Sequence, residues 1–188
     1  MSVDVDVVNE ALTLVGYDGA PVTGSAPSFD TSIAGKIAAR IYVTSVQAVA
    51  RQNEWDFSRQ VAALTLSGNA APFPWAYEYL YPALAVQIWQ IAPPSLADMN
   101  NPLPIEHIVG NSQIASVSTK VIWSNQVSAS AIYNGLPPVS TWDAGFRAAV
   151  VRLLGSEFAI AGAGKPDLSQ SMLEAYGAFA GAAADRTS

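Results

Sequence analysis

The segment WAYEYLYP, residues 75–82, decides how the fold is read. Trp75, Tyr77, Tyr79 and Tyr81 recur at every second position, with Ala76, Glu78 and Leu80 between them. Side chains alternate across an extended strand, so a period of two gathers the four rings on one side. Aromatic residues suit such a pleated, half-buried surface. The segment therefore predicts a β-strand with one aromatic face.

Outward from this strand, proline marks how far the β-region reaches. The 12 prolines stand at 21, 27, 72, 74, 82, 93, 94, 102, 104, 137, 138 and 166, so 72–138 holds nine of them. Proline is excluded from helix interiors, and long helices must lie in the proline-free windows 28–71, 139–165 and 167–188. Further strands are expected at 61–66, 84–91, 105–109, 118–123 and 130–133. Gly110-Asn111 reads as a turn between two of them.

Both flanks read as helical. A first helix runs from Asp4 or Asp6 to Val15, with Val8, Ala11, Leu12 and Val15 as its stripe and Gly16 as its stop. A second starts at Ser28 or Asp30 as N-cap and ends near Asn53. Ile33, Ile37, Ile41 and Ala48 form one row, and Ala34, Ala38, Tyr42 and Val49 the adjoining one. Trp55 and Phe57 mark its exit. Ser140, with Asp143 three residues on, caps a third helix whose stripe is Phe146, Val150, Leu153, Leu154 and Phe158. Asp143 and Arg147 are spaced as an i,i+4 ion pair. Gly162 and Gly164 end this helix. A fourth begins at Asp167, with Gln170 completing a capping box, and turns Met172, Leu173, Tyr176, Phe179, Ala180 and Ala183 inward. The expected fold is α+β: a bundle of about four helices, two N-terminal and two C-terminal, with a central inserted antiparallel β-region. In domain terms, 1–59 and 139–188 form the bundle and 60–138 the β-rich insertion, one structural unit overall.

Composition narrows the function. The 188 residues contain no cysteine, which removes disulfides, thiolate metal sites and thiol catalysis. One histidine, His107, leaves no multi-histidine metal site. A net charge of −6 argues against gripping nucleic acid by phosphate neutralisation. Hydrophobic residues make up 51 % and charged residues only 13 %, against about 25 % charged in typical domains. The apolar windows are interrupted by Gln87 and Gln90, or by Arg147, Arg152 and Glu157, so no membrane span is expected. The N-terminus carries acids where an export signal needs Lys or Arg.

The charge shortage is local. Residues 60–138 hold four charged side chains, Glu78, Asp98, Glu106 and Lys120, while the other 20 lie in 1–59 and 139–188. A β-region of this size cannot bury all its residues within itself. Its surface must be neutral and partly aromatic, which is the composition of contact surface. Packing against sister subunits is expected.

No segment assembles into a catalytic motif. In GAGKPD, 162–167, Pro166 stands where a P-loop needs Ser or Thr, and a helix precedes it instead of a strand. It reads as a helix stop and restart. His107 and Glu106 are adjacent in a strand and point to opposite faces, so they make no proton-transfer pair. Glu54 and Asp56 flank Trp55 and read as its polar neighbours rather than as a glycosidase pair. Asp4 and Asp6 lack the glycine and distal glutamate of a calcium loop, and read as acids at a helix N-terminus. Lys36, Arg40, Arg51 and Arg59 form no single basic stripe. The row of Trp75, Tyr77, Tyr79 and Tyr81 could stack sugars, but reads better as core or subunit interface, as do Trp89 and Trp123. No enzyme and no cofactor or metal is expected.

The order of landmarks resembles the tail-adaptor family of short-tailed bacteriophages, the tail tubular protein A-like or head-completion proteins. VVNEALTLVG is similar to the family's Asn-x-Ala-Leu-x-x-x-Gly opening, and NEWDFSRQVAALTL to its Trp-x-Phe run into a strand. WAYEYLYP resembles its tyrosine-rich segment ending in Pro. A neutral β-region closing on AIYNG follows, then two helices with Leu173, Tyr176 and Asp185 in a Leu-x-x-Tyr…Asp pattern. The likeness spans nearly the whole chain. One departure is Ala83-Leu84-Ala85 after Pro82, where members often carry an Asp.

The resemblance implies a structural virion protein at the head-tail junction, made in the bacterial host cytoplasm. Copies would form a homo-oligomeric ring, a dodecamer, beneath the portal protein. The ring would extend the DNA ejection channel and dock tail nozzle or fibre proteins, with DNA only passing through. On this reading Asp4, Asp6, Asp18 and Asp30 are candidate lumen acids, and Asp185, Arg186, Thr187 and Ser188 a candidate portal contact. The competing classes are a virion-associated cell-wall hydrolase and a carbohydrate-binding module.

Overall fold

The structure, a computed structural model, describes residues 3–93, 105–161 and 164–184. Four helices and antiparallel sheets make an α+β fold. The chain divides into two compact units: Met1–Phe57 with Pro137–Ser188, and Ser58–Leu136. Each has its own core.

The first unit is helical. Helix α1, Val3–Leu14, buries Val5, Val8, Ala11 and Leu12. It ends where Gly16 takes φ +71°, the left-handed conformation that glycine adopts without strain. Tyr17 N–H then reaches the Leu12 carbonyl and Gly16 N–H the Thr13 carbonyl, a Schellman stop. Two short strands, β1 at Gly24–Ser25 and β2 at Ser28–Phe29, form a small hairpin before helix α2, Ile33–Gln52.

The N-cap of α2 is Ser32, whose hydroxyl accepts from Gly35 N–H at 3.0 Å. Ser28 and Asp30 are not the cap. Ser28 is taken up in β2, and Asp30 acts one step earlier. Its carboxylate accepts from the backbone N–H and hydroxyl of both Ser32 and Thr23. These bonds, that from the Ser32 hydroxyl foremost, lower its pKa to about 2. Gly35 permits the arrangement, since a Cβ there would lie 2.4 Å from Asp30. Of the two α2 rows, Ala34, Ala38, Tyr42 and Val49 are buried, whereas Ile33 stands 78 % exposed.

Helix α3, Ala144–Ala161, is the centre of this unit and packs against α1, α2 and α4, Pro166–Ala184. It is buried on several sides at Phe146, Ala149, Val151, Leu154, Phe158 and Ala159. That explains its mixed apolar pattern, since a helix covered all round needs no polar face. Asp143, not Ser140, caps it, accepting from Gly145 N–H at 2.7 Å. Ser140 lies in a 3-10 turn, Val139–Thr141. Arg147 does not pair with Asp143 but reaches Glu10 of α1 at 2.8 Å. Phe146 meets Trp55, Phe57 and Trp142 edge-on at centroid distances of 5.1, 5.1 and 4.8 Å.

In α4, Pro166 occupies the first helical position, where its missing N–H costs nothing. Gln170 closes no capping box and instead bonds Glu174. Tyr176 and Ser169 are buried, while Leu173 is exposed, contrary to expectation. The inward placement expected for Phe179, Ala180 and Ala183 falls on side chains outside those described.

The second unit is all β. Strands β3 (Arg59–Ala63), β8 (Ser130–Asn134) and β5 (Gln87–Ala92) form one antiparallel sheet in the order β3-β8-β5. Strands β4 (Tyr77–Leu80), β7 (Val117–Ser124) and β6 (His107–Ile114) form another, in the order β4-β7-β6. The chain after β3 links them, since Leu64 N–H bonds Ala129 O, while Leu66 bridges Tyr79. Tyr79 and Ile122 from one sheet meet Ile88, Ile91, Ala131 and Tyr133 from the other in a common core.

The expected turn at Gly110-Asn111 is wrong. Both residues lie inside β6, paired with Val121 and Lys120. The turn is Ala115-Ser116, with φ of +49° and +66°. Positive φ at both central residues is the geometry whose twist matches a two-residue hairpin.

Candidate functional site

The aromatic segment of the β-unit is built on β4. Its register sets Tyr77 against Ser124, Glu78 against Trp123 and Tyr79 against Ile122. Alternation sends Tyr79 into the core, with Tyr77 and Tyr81 packed partly buried beside it. The Tyr79 hydroxyl donates to the Gln126 carbonyl, and burial raises its pKa. Trp75 does not belong to the row. It precedes the strand in a turn closed by its own N–H on the Pro72 carbonyl. The row is therefore no exposed stacking platform.

The opposite face carries the feature the sequence did not reveal. Glu78 is 2 % exposed. Trp123 Nε1 donates to its Oε2 at 2.8 Å, and Ser67 Oγ to its Oε1 at 2.7 Å. Asn69 adds a longer bond at 3.3 Å and ties on to Ser112 and the Gln113 carbonyl. Burial alone would raise the carboxyl's pKa, but the donors, Trp123 first, bring it below the ordinary value. Glu78 is thus an ionised pin that fastens the 67–69 loop to the β6–β7 hairpin, and its proton is not poised for transfer. Gly110 completes the site, since a Cβ there would lie 2.4 Å from the Trp123 ring. Register could have hinted at the pair, but no local motif encodes it.

The remaining β-unit candidates divide. Trp89 has no ladder partner where β5 slips register between Ile88 and Gln90, so it is the extra residue of a β-bulge. Its Nε1 is buried without a hydrogen-bond partner among the described residues. Lys120 Nζ lies 3.7 Å from the Tyr81 ring centroid, a cation–π contact. His107 Nδ1 lies 3.0 Å from the Ile105 carbonyl.

The four candidate lumen acids, Asp4, Asp6, Asp18 and Asp30, have different occupations. Asp4 accepts from the Tyr42 hydroxyl at 3.0 Å, and burial together with that charge raises the Tyr42 pKa. Asp30 organises the approach to α2. Asp6 and Asp18 are exposed. Asp185, Arg186, Thr187 and Ser188 lie outside the described residues.

The helical unit also holds a pocket of about 410 Å3 that sequence reasoning missed. Leu12, Val15, Ile33, Ala34, Ile37 and Phe158 form its apolar walls, with Tyr17, Asp18 and Lys165 also lining it. Lys165 Nζ lies 3.4 Å from the Val15 carbonyl at the end of α1. Among the described residues, no three His, Asp or Glu side chains gather to hold a metal ion. No described helix is long and apolar enough to cross a membrane. Neither a protein-family model nor a curated protein matches the chain.

Proposed function

We propose that the chain is a structural virion protein rather than an enzyme: the head-to-tail adaptor of a short-tailed bacteriophage. Copies form a ring beneath the portal, extend the DNA channel and present a platform to further tail proteins. The order of sequence landmarks suggests the family. The observation that carries the reading is the surface of the β-unit. The described residues of Ser58–Leu136 include four charged side chains, Arg59, Glu78, Glu106 and Lys120, and Glu78 is buried. Meanwhile Val61, Leu66, Phe73, Leu84, Val117 and Val127 are exposed. A surface depleted of charge and rich in exposed apolar side chains has the composition of subunit contact.

On this reading an acidic channel wall keeps DNA from sticking, because like charges repel. Asp6 and Asp18 are the better candidates for that wall, since Asp4 and Asp30 are engaged within their own unit. The test is the particle mass of the chain alone and with the portal ring of the same virus. A step from the 19.7 kDa chain to an annular complex on the portal is expected. A chain that stays solitary beside the portal ring, its β-unit open to water, sinks the reading.

A further inference from the structure

The two sheets of the β-unit have four outer strands, β3, β5, β4 and β6. An outer strand presents a row of backbone N–H and C=O groups with no neighbour, and natural proteins blunt that row. Three of the four are blunted. β3 is five residues long and opens on Arg59. β5 carries the bulge at Trp89, and Ile105 N–H takes up its Ile91 carbonyl. β4 is four residues long and is bonded by the preceding chain, Leu80 N–H to the Thr65 carbonyl and Ser67 N–H to the Glu78 carbonyl.

β6 has none of these devices among the described residues. Its eight residues, HIVGNSQI, include no Pro, Lys, Arg, Asp or Glu. Its register with β7 runs unbroken from His107↔Ser124 to Ile114↔Val117. Neighbouring Ile108 and Val109 are 48 % and 40 % exposed, although they stand on opposite faces of the sheet. Exposure on both faces at once is what a missing neighbour strand leaves.

The hairpin turn fixes which backbone groups point outward. A two-residue turn closes on a hydrogen-bonded pair, here Ile114 with Val117, and bonded and non-bonded pairs then alternate along the ladder. Ile108, Gly110 and Ser112 therefore spend their N–H and C=O groups on β7. His107, Val109, Asn111 and Gln113 turn theirs away from it. The Gln113 carbonyl is already taken, accepting from Asn69 Nδ2 at 3.0 Å. The outward groups of Val109 and Asn111 have no partner among the described residues.

We propose that β6 pairs with β6 of a second copy, antiparallel about a two-fold axis at Val109. The register follows from the open groups. With Val109 opposite Val109 of the second copy, His107 meets Asn111 and Asn111 meets His107, so the ladder uses the open stretch and stops short of Gln113. Ile108 of the second copy then comes opposite Gly110, where its side chain abuts the Trp123 ring that covers that glycine. The occupant is a second copy because the open row is complementary to itself in this register, and neither strand brings an acid, Lys or Arg to be desolvated. A two-fold contact closes at two copies, so it stands apart from the ring of the adaptor reading.

The test is sedimentation of the full chain, without portal, over a rising series of concentrations. A species of twice the chain mass is expected. Val109→Lys sets two like charges face to face on the axis and is expected to weaken the dimer at least tenfold. Val109→Glu is expected to do the same, and an equal mixture of the two variants to restore a mixed dimer, because the facing charges now attract. Val61→Lys, at a 47 % exposed position on β3, is expected to dimerise as the parent does. Circular dichroism confirms that each variant folds. Hydrogen exchange of the parent needs no variant: the Val109 and Asn111 amides should slow as concentration rises, while those of Ile108 and Gly110, bonded to β7, stay slow throughout.

A parent that sediments as one chain at every concentration overturns the proposal. So does a Val109→Lys dimer as tight as the parent's, or a mixture that fails to restore pairing. Val109 and Asn111 amides indifferent to concentration, or a Val61→Lys variant that loses the dimer equally, place the contact elsewhere and overturn it too.

Discussion

The two units treat charge in opposite ways. The helical unit keeps its ions near water, as in the Arg147–Glu10 pair, whose side chains are 32 % and 48 % exposed. The β-unit has few ions and buries one of them, Glu78, beneath Trp123. A surface ion pair gains little, because water already solvates both partners. A buried carboxylate must have its oxygens satisfied, because water has been removed. The same residue types therefore decorate one unit and organise the other.

The sharpest attack on this contrast is to compare the best-packed apolar side chain of the first unit with the pinned acid of the second. Phe146→Ala removes a buried ring that touches Trp55, Phe57 and Trp142. A loss of about 4 kcal/mol is expected, typical of a large aromatic truncated in a core. Urea unfolding followed by tryptophan fluorescence measures it. A loss below about 2 kcal/mol would mean that the neighbours collapse into the space.

Glu78→Gln tests the pin without changing its shape. An amide has one acceptor oxygen; turned to the donor-only Trp123 Nε1, it points its NH2 at the Ser67 hydroxyl, which can rotate to accept, and at the Asn69 amide, which cannot. The Asn69 NH2 then opposes the new amide NH2 and the charge behind the remaining bonds is gone, at an expected cost of about 1–2 kcal/mol. The pH dependence has a definite sign. Glu78 has a folded pKa below its ordinary 4.5, so its contribution is complete above that value and fades as pH falls through the lowered one. Asp30, lowered from 3.8 to about 2, adds an acid limb between those values. The Glu78→Gln variant should lose the first component and keep the second. An unchanged acid limb would remove Glu78 from the account.

The β6–β7 turn offers a smaller effect of opposite sign. Ala115 and Ser116 hold positive φ, which side chains with a Cβ adopt reluctantly. Replacing them with Asn-Gly supplies the residues this turn geometry favours. A gain of about 1 kcal/mol is expected, near 2–4 °C in melting temperature for a chain of this size.

That turn also explains what could be read in advance. Proline spacing and charge depletion change near the places where the chain divides into units, because both properties are local and cumulative. The α1 stop at Gly16 and the burial of Tyr79 were legible for the same reason: each follows from a few consecutive residues. The hairpin turn was not, because its strained residues are Ala and Ser while Gly110-Asn111 nearby carries the usual turn signal. Gly110 is present for a different cause, the approach of the Trp123 ring. The Glu78–Trp123 pin joins residues 45 positions apart, and the pocket needs three helices together. Neither has a local signature. Arg147 shows the same limit, since its spacing from Asp143 was correct for a pair and a better partner lay 137 residues away.

The Arg147–Glu10 pair carries the least expected effect and bears most directly on the contrast between units. Arg147 Nε and Nη2 both approach one oxygen, Glu10 Oε2, at 3.1 and 2.8 Å. The guanidinium therefore does not span both carboxylate oxygens, and the geometric advantage of a fork is absent. A double-mutant cycle over Arg147→Ala and Glu10→Ala should give a coupling of about 0.5 kcal/mol or less. Raising the salt from about 0.05 M to about 0.5 M should shrink it further by shortening the Debye length. A salt-insensitive coupling above about 1.5 kcal/mol would place this pair with Glu78 among the buried ions, and the division of labour between the units would then fail at its charged end.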